Sequence, residues 1–371
     1  MKEKEGAQRL KSAKESRVNA AKESRVNALI RGERIDRVPF FPLHLMGFSA
    51  TNVGYPLGRM YSDPERSFWA QVWTQEQYGY EYMPIYNYAA YGAWELGGKI
   101  KLPGSEYEQA PSITRYPVAT EEDIERLEQT KLPEVKSRGC IPLNLAFSKL
   151  QEAHEMPVVF LCGTPFTRAV NVCGTEVLLR WVLKKPKLAH RIIRVMTEHL
   201  VEVARYWVDS FGGENLIPYT GNPTESSQML SPRHLQEFAI PYTRELNQQV
   251  LALGVKRFQF HVCGDQRLNL PYLAELPLGD PAIVSFGHEV DLTEAIKYFG
   301  EKAIIVGNVN PTAIQMKTPR DVYEEAHACI QKGMSAPRGF MLSQSCELPP
   351  KAPPYNVYTM KKAIDDFGRY E

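Results

Sequence analysis

The chain has 371 residues, 43% hydrophobic and 23% charged, with a formal net charge of +1 and a pI near 7.6. That balance excludes a polybasic binder of nucleic acid or anionic membrane, and no apolar stretch reaches the ~18 residues of a membrane span. Six scattered cysteines (140, 162, 173, 263, 329 and 346) are too sparse for a disulfide scaffold, and Met1–Glu5 holds no apolar signal core, so a cytoplasmic protein is expected.

Taken in order, the chain begins with a tandem repeat: the eight residues Ala13–Ala20 recur at 21–28. A short duplication at a chain end reads as a tolerated extension. Residues 1–21 are therefore set apart, and one domain is expected over 22–371. A helix stopped by Gly32 then leads into a buried strand near 38–44. Further apolar runs read as strands at 82–86 (interrupted by Pro84), 157–162, 215–219, 257–261, 282–286, 303–306 and 340–343. Helical patterns lie between them. Ile193, Met196, Leu200, Val203 and Trp207 recur at helical steps before Gly212. Ser231-Pro232 and Thr318-Pro319 pair a cap with a first-turn proline, and Thr120 to Asp123 has capping-box spacing. Eight such strands separated by helices predict an α/β protein, a single (β/α)8 TIM barrel. Residues 95–118, without helical period, are expected to be an insertion between the second and third strands.

In such barrels chemistry sits at the C-terminal ends of the strands. The tripeptide His261-Val262-Cys263 ends the fifth predicted strand, and Cys346 follows the eighth. An imidazole and two thiolates suit a three-ligand zinc site whose fourth position stays open, the pattern of catalytic rather than structural zinc. A packed core is the competing reading of His261 and Cys263 taken alone. Asn222, His288 and Asn308 follow the fourth, sixth and seventh strands and are expected to face a substrate, although His288 and Asn308 also suit local loop bonding. Glu225 or Asp265 is expected to supply a supporting or temporary fourth contact. Cys162, Cys173 and Cys329 read as core or surface thiols. The aromatic stretch from Tyr78 to Trp94 reads as packing or as the wall of an aromatic or corrin site.

At these residues the chain resembles the uroporphyrinogen decarboxylase superfamily. The resemblance runs from about Lys22 to the C-terminus and rests on Ala28–Pro39, Leu230–Phe238, His261–Gly264 and Val306–Thr312. It implies a one-domain barrel and two functional branches: decarboxylases without a cofactor, and zinc-dependent methyltransferases that work with methylated corrinoid proteins and carry an H-x-C…C ligand set. The decarboxylases have an arginine-rich segment after the first strand to pair a polycarboxylate substrate. Here Leu43–Asn52 holds no arginine or lysine, and a buried polyanion would go unpaired. Ser345–Pro350 matches the methyltransferase pattern.

The resemblance thus implies His261, Cys263 and Cys346 as zinc ligands and catalytic centre, and Asn222, Glu225, His288 and Asn308 as substrate contacts. Asn222 departs from the acidic residue frequent in the family. The methyl group would pass between a corrinoid (methylcobalamin type) and a small thiol acceptor or a methoxylated or other methyl donor. No corrinoid-binding D-x-H-x-x-G segment is present, so a separate corrinoid protein is the expected partner. The alternatives are a uroporphyrinogen decarboxylase-like lyase and a non-catalytic binder of corrinoid or tetrapyrrole.

Overall fold

The computed structural model describes residues 24–43, 46–81, 84–105, 108–130 and 132–371. The extension 1–21, and the repeat up to residue 23, lie outside the described residues. The centre is a parallel sheet of six strands in sequential order: β1 (Val158–Leu161), β2 (Leu216–Gly221), β3 (Gln259–Val262), β4 (Ala282–Phe286), β5 (Ala303–Val309) and β6 (Phe340–Gln344). Every residue in these strands is buried, as continuous apolar runs require when helices cover one face and packed side chains fill the other. They are the expected third to eighth strands. The seventh runs three residues further than expected, which places Asn308 inside β5, while His261 lies within β3 as the expected fifth strand has it.

The first two expected strands take another form. Phe40 makes an isolated parallel bridge to Leu342 of β6. Phe41 N donates to Leu342 O at 2.9 Å, and Leu342 N donates to Pro39 O at 3.0 Å. Pro39 and Pro42 have no N–H to extend that ladder. Side chains continue it: Leu43 N donates to Ser343 Oγ at 3.1 Å, and Gln344 Nε2 donates to Leu43 O. At the second position no strand forms among the described residues. The backbone of Ile85 is instead held at both N and O by the Gln71 carboxamide, each at 3.1 Å.

The helix signals are realised. Pro186–Phe211 presents Ile193, Met196, Leu200, Val203 and Trp207 to the core and stops at Gly212. Capping boxes at Thr120/Asp123 and Thr318/Asp321 open Glu121–Gln129 and Pro319–Gly333. Lys99–Lys101 and Ser112–Arg115 pair only with each other, antiparallel, apart from the main sheet. No described helix is long and apolar enough to cross a membrane.

Candidate metal centre and active site

His261 sits in β3 opposite Ser285 of β4, and its Nδ1 lies 2.9 Å from Ser285 Oγ. That bond fixes the ring plane. Cys263 follows the strand, its N donating to Asn222 Oδ1 at 3.1 Å. Gly264 then takes φ +73°, a left-handed conformation that favours glycine and turns the chain away directly after the thiol. Cys346 comes two residues after β6, where Ser345 N is anchored on Val309 O at 2.8 Å.

These elements bring one ligand atom each of His261, Cys263 and Cys346 within 4.8 Å of one another, although two strands separate β3 from β6. Tetrahedral zinc with these ligand types needs edges of roughly 3.5–3.8 Å, a small contraction. The electrostatics agree. Hydrogen bonding to Cys346, then burial, then the charges of Cys346 and Glu289 push the Cys263 thiol far above its ordinary range. Two adjacent thiolates repel unless a cation lies between them, so the donor set fits a metal ion. Both thiols are half-buried, whereas Cys140, Cys162, Cys173 and Cys329 are buried. Burial pushes Cys162 up to about 12 and Cys329 up to about 11, which leaves them inert core thiols.

The remaining expected residues fall into four situations. Asn222 and Glu225 adjoin the centre, Asn222 through its bond to Cys263 and Glu225 through its hydrogen bond with Asn222. Glu225 is buried and accepts hydrogen bonds from Thr164 and from Thr167 Oγ1 (3.2 Å). Burial raises its carboxyl to about 7, against the pull of the Thr164, Thr167 and Asn222 hydrogen bonds. His288 is at the rim, its Nδ1 3.3 Å from Ser345 Oγ and 3.4 Å from Glu289 Oε2. Asn308 is turned to the loop after β4, donating to Gly287 O at 3.0 Å and Val290 O at 2.8 Å. Asp265 is clamped by Arg267 at 2.9 and 2.7 Å.

Two carboxylates escaped the reading of the sequence. Glu289 is the one whose charge acts on Cys263. Gly287 leaves it room: a Cβ there would lie 2.6 Å from Glu289 Oε2. Glu347, half-buried beside Cys346, is pushed up to about 8 by burial and then by the Cys346 charge, while hydrogen bonding from Gln109 and Gly47 holds it back. Its signal was a lone acid between Cys346 and the apolar run Leu348-Pro349-Pro350. The aromatic stretch, by contrast, is packing: Tyr78, Tyr80, Tyr86, Tyr88 and Tyr91 are buried, with Tyr86 stacked on Phe147 at 5.1 Å. Tyr82 lies outside the described residues.

Glu225 carries a prediction. Its folded value lies above the unfolded 4.5, so the folded protein holds the extra proton between about pH 4.5 and 7 and loses stability as pH rises through that window. In Glu225→Gln the stability difference from wild type should therefore shift in the variant's favour between pH 5 and pH 8, by on the order of 3 kcal/mol in urea titrations. A difference that stays flat with pH would contradict a buried, proton-holding carboxyl.

The family model for uroporphyrinogen decarboxylase (URO-D) matches residues 21–367. The chain belongs to that family. Within the URO-D family, it is 26% identical over 231 residues to the methylated-thiol--coenzyme M methyltransferase of Methanosarcina mazei, covering 60% of this chain and 58% of that protein. The alignment thus spans less than two-thirds of that relative. It is 22% identical over 348 residues to the methylcobamide:CoM methyltransferase MtaA of Methanosarcina barkeri, covering 92% and 96%. A solved methyltransferase from Methanosarcina mazei superposes with TM-score 0.75 at 22% identity, covering 92% of this chain and 97% of that one. At that identity the likeness concerns fold alone. Together with URO-D membership it implies a TIM barrel built on the parallel sheet.

Proposed function

We propose that this URO-D family member is a zinc-dependent methyltransferase that moves a methyl group between a separate corrinoid protein and a small substrate, a thiol acceptor or a methoxylated or other methyl donor. The observation that carries it is the convergence of His261, Cys263 and Cys346 at the strand ends. Methyltransferase relatives aligned over most of the chain support the same reaction class. When bound, zinc supplies Lewis acidity that keeps a thiol ionised near neutral pH or polarises a methyl donor.

The chain's own part is positioning. Ser285 orients His261, Asn222 aims Cys263, and Asn308 braces the loop that presents His288 and Glu289. Asn222, Glu225 and His288 are the substrate-side residues; Asn308 acts through the loop it holds. Glu225 or Asp265 supplies a supporting or temporary fourth contact, with Glu289, whose charge acts on Cys263, as a third carboxylate. The catalytic unit is residues 22–371, supported by the span of the family match. The hairpin within 95–118 is an insertion, supported by its pairing with itself alone. Cysteines kept as thiols suit the cytoplasm.

The test is transfer from methylcobalamin to a panel of thiols and phenols, followed by the cob(I)alamin spectrum. Zinc-loaded protein should accelerate transfer to at least one acceptor, and EDTA-treated protein should not. Release of carbon dioxide from uroporphyrinogen, with no methyl transfer, would establish the lyase instead. Tight corrinoid-protein binding without turnover would establish the binder.

A further inference from the structure

A cavity of about 490 Å3 opens beside the metal centre, with Cys346 the one candidate ligand in its wall. Three segments build it: residues 109–110 of the insertion, the helix Pro311–Met316 after β5, and the loop 346–349 after β6. Asn222, Glu225 and His288 adjoin the centre but do not line the cavity, so the body of a molecule held here meets a different set of side chains. The insertion's share of the wall is fixed from the core, because the buried Tyr61 donates its hydroxyl to Gln109 O at 2.9 Å.

Gln109, Gln315 and Thr312 offer neutral donors and acceptors, while Ala110, Met316 and two prolines offer apolar surface. No lysine or arginine belongs to the lining, and Lys317, next to Met316 in sequence, is exposed and outside it. A bound anion would lose water with no cation to pair it, whichever protonation state Glu347 takes. At about 30 Å3 per water the space takes roughly 16 water-sized groups. A two-carbon molecule leaves most of that wet, whereas an aromatic ring with two substituents fills about half and covers the apolar wall.

We infer that this cavity is the small-substrate site and takes an uncharged methoxylated aromatic molecule, with Gln109 and Ala110 of the insertion and Gln315 of the helix as specificity-determining residues. The inference rests on the methyl-transfer reading of the same centre and names its substrate class.

Three methyl ethers separate charge from ring: 2-methoxyphenol, which is uncharged at neutral pH, the anionic 2-methoxybenzoate, and the ringless 2-methoxyethanol. Their binding to the zinc-loaded protein is measured by calorimetry, so the readout does not depend on turnover. The phenol should bind at least about 10-fold tighter than either of the others. Ala110→Trp, which fills the cavity, should weaken the phenol at least about 10-fold while zinc content stays at the wild-type level. Gln315→Lys, which puts a cation in the wall, should bring the benzoate to within about 3-fold of the phenol, and it decides the matter if Ala110→Trp fails to fold or to hold zinc. Equal or tighter binding of the benzoate or the ethanol, no binding by any of the three, or affinities unmoved by both variants would overturn the assignment. Selective binding of the phenol without methyl transfer from it to cob(I)alamin would support the cavity assignment and count against the methyl-transfer reading.

Discussion

Cys346→Ala is expected to strip the protein of zinc, from about one per chain to background, and to lower methyl transfer by at least about 100-fold. Three ligands are the fewest that hold a catalytic zinc, and loss of one leaves an imidazole and a single thiolate. The fold should survive, because Cys346 is half-buried and stands in the loop beyond β6 rather than in the strand. Metal analysis and the cobalamin assay read the two effects, and thermal melting of the metal-free proteins checks the fold. Cys329→Ala is the matched control. Its thiol is buried 3.6 Å from Asn308 Oδ1, on the helix side of β5, and the variant should keep its zinc. A Cys346 variant that retains full zinc would sink the proposed centre, whatever its activity.

The largest stability effect is expected at Trp207. The ring is 1% exposed and stacks on Phe160 of β1 with centroids 5.5 Å apart, while Nε1 donates to Ser148 Oγ at 3.0 Å. One side chain therefore ties the helix Pro186–Phe211 to the sheet and to the helix Ile141–Ala153. Trp207→Ala removes the packing, opens a cavity and orphans the serine, a loss of about 3–5 kcal/mol. For a chain this long that lowers the melting midpoint by about 5 °C. Trp207→Phe, which keeps most of the stacking, should recover more than half. If alanine costs under about 1 kcal/mol, the helix is held elsewhere and the packing argument fails.

Much of this was legible in the chain because its signals were local. Six strands announced themselves as apolar runs bounded by turns, and Thr120, Ser231 and Thr318 marked helix starts that the structure realises. The first two strands were less legible for a specific reason. Pro39, Pro42 and Pro84 thin the supply of N–H groups; the N–H of Leu43 is met by Ser343, and the carbonyls of Leu43, Ile85 and Pro84 accept from Gln344, Gln71 and Gln151, three of these four side chains lying far away in sequence from what they bond. No local pattern reports such a bond. The candidate ligands His261, Cys263 and Cys346 stood out because thiols at strand ends are uncommon. Glu289 and Glu347 did not, because carboxylates are common and only tertiary burial singles these two out.

The meeting of the 39–43 segment with β6 has a consequence for how the chain can vary. In an ordinary ladder the main chain supplies every bond, so side chains can drift without loosening it. Here both polar groups of Leu43 depend on what occupies positions 343 and 344. Closure at this edge is thus written in two particular side chains, two and three residues before Cys346. A single codon change there would release one polar group of Leu43, leave the Phe41–Leu342 and Leu342–Pro39 backbone bonds to hold the edge, and disturb the segment that leads into Cys346. Random mutagenesis should find those positions nearly as intolerant as His261, Cys263 and Cys346, though neither belongs to the candidate metal centre.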